Sequence, residues 1–524
     1  MKTIIISLLC LISTVTSLAQ TPIFSKIYYD TVNLGDIKDI ITTRNNDGYV
    51  ILGHNNINTD FHVFKINDVG DVQWTVRVAF SDIIYIKGLA ESADGSLFVE
   101  ASSTISGKTV LILAKITSTG TVSWVNKYEE TLSVNASHLS INNNDEIVIL
   151  CEMSGDNFVL KVDTNGNAIW SKRVGIWVER GYGQKILHDD DDNIFIASRA
   201  VINSGDPSGV RLTKLDTGGN YIWSKTYEVG VAGDDFLTID DFVLDNDQLL
   251  VTGYTRTTNY IYDIYLFKSD TSGVINLGKR YSSSNSDYVS SIAVMGNGNY
   301  ILGGNTLINT AYNHDQFVMK IDATGSIQDS YFFHEQANGG AGFDATGKLI
   351  KDLDGGLMMG GGYGWGMHVY KTSLTGDLPC NDYFPLPFTE SSFPYLLDLT
   401  YTAVKSLPST FTKSIMSPTI TTYTETIDSK CDSLITDIKG NSTIESMDNI
   451  KMHLSQDFQT LKISEIDNYN LLTITAMDGR TIIKESMQNS GGHIINISGF
   501  TSGIYVLTLS NTFEIHSQKF VINR

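Results

Sequence analysis

Two histidine-led clusters are the first places to look for chemistry, and neither has the spacing a reaction needs. His334-Glu-Gln-Ala-Asn338 is half of a His-Glu-x-x-His zinc site, with Asn where the second ligand belongs. His188-Asp-Asp-Asp-Asp-Asn193 is the densest run of carboxylates, and calcium takes several oxygen ligands. It falls where a turn is expected, however, and the alternating acids and distal Glu of a calcium loop are missing. The glycines of Gly360-Gly-Gly-Tyr-Gly-Trp-Gly366 lie at a strand end and open no helix, so they form no phosphate cradle. There is no Gly-x-Ser-x-Gly nucleophile elbow. The sequence therefore assigns no catalytic residue, no metal and no cofactor. What remains is a set of aromatic, basic and polar residues: Trp177, Glu179, Arg180, Tyr182, Arg256, Tyr260, Tyr262, Tyr312, His314 and Trp365.

The elements that must position this set repeat along the chain. An apolar strand ends in Lys, followed by Asp or a small polar residue, two positions, Gly, three positions and Trp. Lys65…Gly70…Trp74, Lys115…Gly120…Trp124, Lys161…Gly166…Trp170 and Lys214…Gly219…Trp223 are full copies. Gly273, Gly325 and Gly376 mark three weaker ones, so the glycines step by 46 to 54 residues. Asp-x-x-Gly between apolar runs is a short hairpin, closed by the positive φ that Gly supplies. The Trp is expected to lie buried between neighbouring sheets. About 20 residues upstream lies a second hairpin signal, as in Asn46-Asp-Gly48 and Ala93-Asp-Gly95. Four antiparallel strands per unit of about 50 residues make a β-propeller blade.

Seven copies predict seven blades. The seventh lacks a normal fourth strand, and Phe24-Ser-Lys-Ile-Tyr28 matches the Trp-Ser-Lys strands without the three that should precede it. The N-terminal strand is therefore expected to complete the last blade and close the ring, leaving no free sheet edge. Because strands alternate in direction, the two short hairpins of each blade share one plain face. The connections of variable length share the other, and the ten residues named above lie on them or at their ends. Aromatic surfaces with a few polar groups suit a sugar or peptide ligand; the bland alternative is that they pack the loops against the ring.

Composition narrows the partners. A formal charge of −21 argues against nucleic acid, whose phosphates need a basic surface. No apolar run of transmembrane length follows the N-terminus. Residues 1–19 read as a secretory signal: Lys2, an apolar stretch from Ile4 to Ile12, then Ser17-Leu-Ala19 before Gln20. The propeller then occupies 20–379. Residues 380–446 break the period and are rich in Ser and Thr, as expected of a linker partly docked on the ring. Cys151 sits in an apolar strand and reads as a buried thiol, whereas Cys380 and Cys431 flank the linker and suit a disulfide in an exported protein.

Residues 447–524 return to short strands and form an all-β module, expected to be a small β-sandwich. Its Met477-Asp-Gly-Arg480 hairpin, its Ile497-Ser-Gly-Phe-Thr-Ser-Gly-Ile-Tyr505 segment and its Lys519-Phe-Val-Ile-Asn-Arg524 end resemble the type A C-terminal sorting domain of Bacteroidetes type IX secretion cargo. Gly479, Gly503, Tyr505 and Lys519 carry the likeness. The family's opening Pro-Asn-Pro is replaced by Met452-His-Leu-Ser455. The resemblance implies handling by the type IX machinery, passage through the periplasm and an extracellular or outer-surface location. Together these readings describe a secreted or cell-surface protein whose variable-loop face binds a glycan or protein. The alternative is a polysaccharide-active enzyme of glycosidase or sialidase type.

Overall fold

In the computed structural model the chain divides into two units, 1–433 and 434–524. The first unit is described at residues 24–29, 34–55, 58–175, 180–201, 208–229, 237–256, 261–309 except 297, 313–333, 345–352, 355–363 and 366–372, and in short stretches from 383 to 432. The second is described in strands and a few flanking residues between 451 and 522. The signal segment, Cys380 and Gly479 lie outside the described residues.

The first unit is a propeller of seven four-stranded blades. Blade 1 runs Leu34–Thr42, Tyr49–Asn55, Asp60–Ile66 and Val72–Ala79 from the inside outward. Blade 7 takes Ala345–Lys351, Leu357–Tyr363 and Gly366–Lys371 from the end of the repeats and Phe24–Tyr29 from the start of the chain. Phe24 opposes Lys371 and Tyr28 opposes Met367, so the ring closes as the repeat period requires.

The repeat motif is a clamp between blades. Gly120 has φ +81°, and a Cβ placed there would stand 2.7 Å from the Trp74 ring of the preceding blade. Gly219 meets Trp170 in the same way at 2.7 Å. Four residues beyond the residue that packs on the glycine, a tyrosine hydroxyl donates to that glycine's carbonyl: Tyr128, after Trp124, to Gly166 at 2.7 Å and Tyr281, after Leu277, to Gly325 at 2.8 Å. At the closure Phe24 packs on Gly70 and Tyr28 donates to the Gly70 carbonyl at 2.8 Å, doing for blade 7 what Trp and Tyr do elsewhere. The motif tryptophans are half-buried, not buried as expected, because each lies over a turn at the plain face. The motif lysine reaches the acid of its own blade's first hairpin, as in Lys65–Asp47 at 2.7 Å and the fully buried Lys371–Asp352 pair at 3.4 Å.

Residues 383–432 do more than link. Seven short strands begin six to ten residues apart and travel backward around the rim. Tyr383–Pro385 adds to the outer strand of blade 6, Thr389–Ser392 to blade 5, Tyr395–Thr400 to blade 4 and Lys405–Pro408 to blade 3. Thr412–Ile415 and Thr419–Thr421 follow on blades 2 and 1. Thr426–Asp432 ends the circuit on blade 7, where Cys431 opposes Ser25 of the N-terminal strand. Every blade thus gains a fifth strand, and the belt covers the outward edges that the repeats leave open.

The second unit has a three-stranded sheet (Lys451–Leu454, Thr460–Ser464, Gly492–Asn496) and a four-stranded one (Thr481–Ser486, Leu471–Ala476, Gly503–Ser510, Ile515–Ile522). Leu461, Ile463, Leu472, Ile474, Ile495, Phe500, Tyr505 and Leu507 form the core of this sandwich. Among the described residues no helix is long and apolar enough to cross a membrane.

Candidate functional site

The innermost strand of each blade breaks its alternation at the same level. Ile37-Lys-Asp-Ile40, Ile86-Lys-Gly-Leu89, Ala136-Ser-His-Leu139 and Gly183-Gln-Lys-Ile186 each put two residues in a row where one polar residue would keep period two. Ile239-Asp-Asp-Phe242, Val289-Ser-Ser-Ile292 and Thr346-Gly-Lys-Leu349 continue the pattern. Pairing slips by one residue at these points in blades 1, 2, 3, 4, 6 and 7, and in blade 5 both Asp240 and Asp241 face Thr252. A bulge re-aims the residue that follows it. Here it sets Asp39, Gly88, His138, Lys185, Asp241, Ser291 and Lys348 as one ring, one from each blade.

Three hydrogen bonds join neighbouring blades across this ring in the same sense. The Leu89 amide donates to Asp39 Oδ2 at 2.9 Å, the Ile186 amide to His138 Nδ1 at 3.4 Å and the Ile292 amide to Asp241 Oδ2 at 3.0 Å. In each case the donor follows the next blade's ring residue. Lys348 Nζ stands 3.3 Å and Lys185 Nζ 4.0 Å from Asp241, so blades 4, 5 and 7 meet on the axis. Burial works against the charge of Asp241, yet Lys348, Lys185, the Ile292 amide and the Ser291 hydroxyl hold its carboxyl well below the usual range. Burial pushes Asp39 up, with both lysines offsetting part of the effect, and pushes His138 well down, helped by the same lysines.

A cavity of about 240 Å³ lies between blades 2, 3 and 4, where their inner strands enter from the variable face. Its walls include Tyr85, Lys87, Ser102, Asn135, Ser137, Glu152 and Gln184. Tyr85 is 51% exposed, with Ile83 and Leu132 at 50% and 51% on the neighbouring connections. Glu152 is fixed by the Asn135 amide at 3.0 Å and the Gly155 amide at 2.7 Å. Among the described residues no carboxylate lies within ion-pair distance of Lys87. Behind the wall Glu100 is fully buried, with the Ser137 amide facing its carboxyl and both oxygens closed off from solvent. Burial raises its pKa to about 8, and the charge of Lys87 offsets only part of that.

The expected binding residues divide in two. Trp177, Glu179, Tyr260, Tyr312 and Trp365 lie outside the described residues. Arg180 and Tyr182 sit on the inner strand of blade 4, four and two positions before Gln184, and His314 opens the third strand of blade 6 opposite Leu307. Arg256 pairs with Tyr262 where the second and third strands of blade 5 reach the variable face. Tyr262 packs with Tyr254 and Tyr288, ring centroids 5.0 to 5.5 Å apart. The Asp189–Asp192 run is spent on structure: Asp189 accepts the Asn193 amide at 2.8 Å and pairs with Lys214, while Asp192 accepts the Asn143 amide at 3.0 Å. Among the described residues no three His, Cys, Asp or Glu side chains are grouped to hold a metal ion.

Residues 448–523 match the family described as secretion system C-terminal sorting domain. The chain is therefore a seven-bladed propeller carrying a type IX sorting tail, a combination that implies delivery to the cell surface or the extracellular space. No curated protein matches the chain. Among solved structures it is similar to Drosophila Plexin A in complex with Semaphorin 1b, at 10% identity over 67% of this chain and 87% of that one, with a TM-score of 0.41. It is also similar to the polysaccharide lyase Uly1, at 10% identity over 64% and 90% of the two chains, with a TM-score of 0.39. A protein from Lactobacillus plantarum matches at 12% identity over 58% and 94%, with a TM-score of 0.38.

Proposed function

We propose that the propeller is an exported binding module that takes a glycan or protein on its variable face, at the inner strands of blades 2, 3 and 4. The observation that carries this reading is the polar cavity at the variable-face ends of the inner strands, with an exposed tyrosine at its rim. A rigid scaffold presenting variable connections around a concave site is a common way to build recognition. Arg180, Tyr182, Arg256 and His314 lie on strands toward the ends that reach the same face. Binding is favoured over catalysis because Glu100, the carboxyl beside the cavity with a proton-donor pKa, has both oxygens sealed from solvent.

The test is binding of the full chain to glycan arrays and to surface-protein extracts, repeated with Arg256→Ala and Trp177→Ala. Loss of binding in either variant supports the face. Turnover of a polysaccharide, abolished by a single carboxylate substitution, would replace this reading with the enzymatic one.

A further inference from the structure

We infer that the cavity between blades 2, 3 and 4 takes one uncharged sugar ring, stacked on Tyr85 and hydrogen-bonded between Lys87, Gln184 and Glu152. This rests on the reading of the variable face as a ligand site and names the ligand class. Size comes first. At about 240 Å³ the cavity is smaller than the ~300–1,000 Å³ of sites that enclose drug-sized ligands, so it holds a single ring and leaves the rest of a chain outside.

Chemistry comes second. A sugar hydroxyl both donates and accepts, so its site must offer groups of both kinds. Lys87 and Gln184 supply donors with no hydrogen-bond partner among the described residues. Glu152 supplies an acceptor already held in place by Asn135 and Gly155. The C–H face of a pyranose needs an apolar plane, and Tyr85, half exposed at the rim, is that plane.

Charge decides the class. Lys87 and Glu152 stand in one small cavity with opposite signs, so a uronate or an amino sugar gains at one of them what it loses at the other and still gives up the hydration of its charge. A neutral ring meets neither penalty. Glu100 behind the wall keeps its proton near neutral pH and adds no charge to this balance.

The experiment presents neutral-ended, uronate-ended and amine-ended oligosaccharides to the full chain, then titrates the strongest. Neutral-ended glycans are expected to bind best. Tyr85→Ala should weaken them tenfold or more with unchanged thermal unfolding, since the side chain is half exposed. Glu152→Gln should shift preference toward uronate-ended glycans, a change that loss of folding would not produce. A wild-type preference for charged ends, or unchanged affinity in Tyr85→Ala, overturns the assignment. If Tyr85→Ala binds normally while Arg256→Ala does not, the variable face stands and this cavity falls. A partner that proves to be a protein, with no glycan bound, has the same consequence.

Discussion

The clamp between blades makes single residues answerable for the ring. Gly120→Ala adds a methyl group against Trp74 and forces a left-handed backbone on alanine, so it should destabilise by more than about 1 kcal/mol in chemical denaturation. Tyr128→Phe leaves the Gly166 carbonyl without its buried donor and should cost about 1–3 kcal/mol. Glu100 makes a prediction about pH. Its pKa rises from an ordinary 4.5 to about 8, so across that window the native state holds a proton that the unfolded chain has released. Stability from this group therefore falls as pH rises through the window. Glu100→Gln should flatten the slope and be the more stable protein at about pH 9, and a variant as pH-sensitive as the wild type would show that the group titrates normally. Asp241 has the opposite sign: its contribution is present above the ordinary carboxylate range and is lost only as acid protonates it in the folded state.

At the level of elements the belt is the feature with the largest consequence. It docks seven short strands on seven blades and finishes against Phe24–Tyr29, so the N-terminal strand is held between residues 366–371 and 426–432. Deleting 383–432 would uncover the outward edge of every blade. The truncated chain is expected to self-associate, with light scattering after gel filtration as the measurement. A monodisperse truncated propeller would mean that the four-stranded blades guard their own edges. Deleting 24–29 instead should be worse, because it opens the ring itself. The axis follows the same logic: a bulge at one level of each inner strand turns seven separate sheets into a ring that shares hydrogen bonds.

For the whole molecule, the two units separate folding from address. Removing residues 448–524 should leave the propeller folded while the protein ceases to appear outside the cell, as fractionation would show; secretion of the truncated chain would remove the tail's role. The belt also gives the expected Cys380–Cys431 bond a purpose. The chain leaves blade 7 at Lys371 and returns to it at Cys431, so a bond between these cysteines would make the belt a covalent hoop. Peptide mapping without reductant checks it.

What the sequence determined by itself was everything that repeats. The Lys-x-Asp-x-x-Gly period, with Trp four residues on in its full copies, gave blade number and strand count, because each blade's outer hairpin needs its own turn glycine. The unmatched strand at Phe24 gave the closure, and the tail's own segments gave its sorting role. The sorting tail was legible because its residues are local in the chain. The axis ring also left a trace, two consecutive polar or glycine residues once per inner strand, but its meaning depends on seven strands meeting at one level. Only the tertiary structure decided that Lys348 and Lys185 reach Asp241, that Tyr85, Glu152 and Gln184 share one cavity, and that the Ser/Thr-rich stretch is a belt. Those contacts join residues dozens to hundreds of positions apart, and no local pattern specifies a neighbour that arrives only when a circle closes.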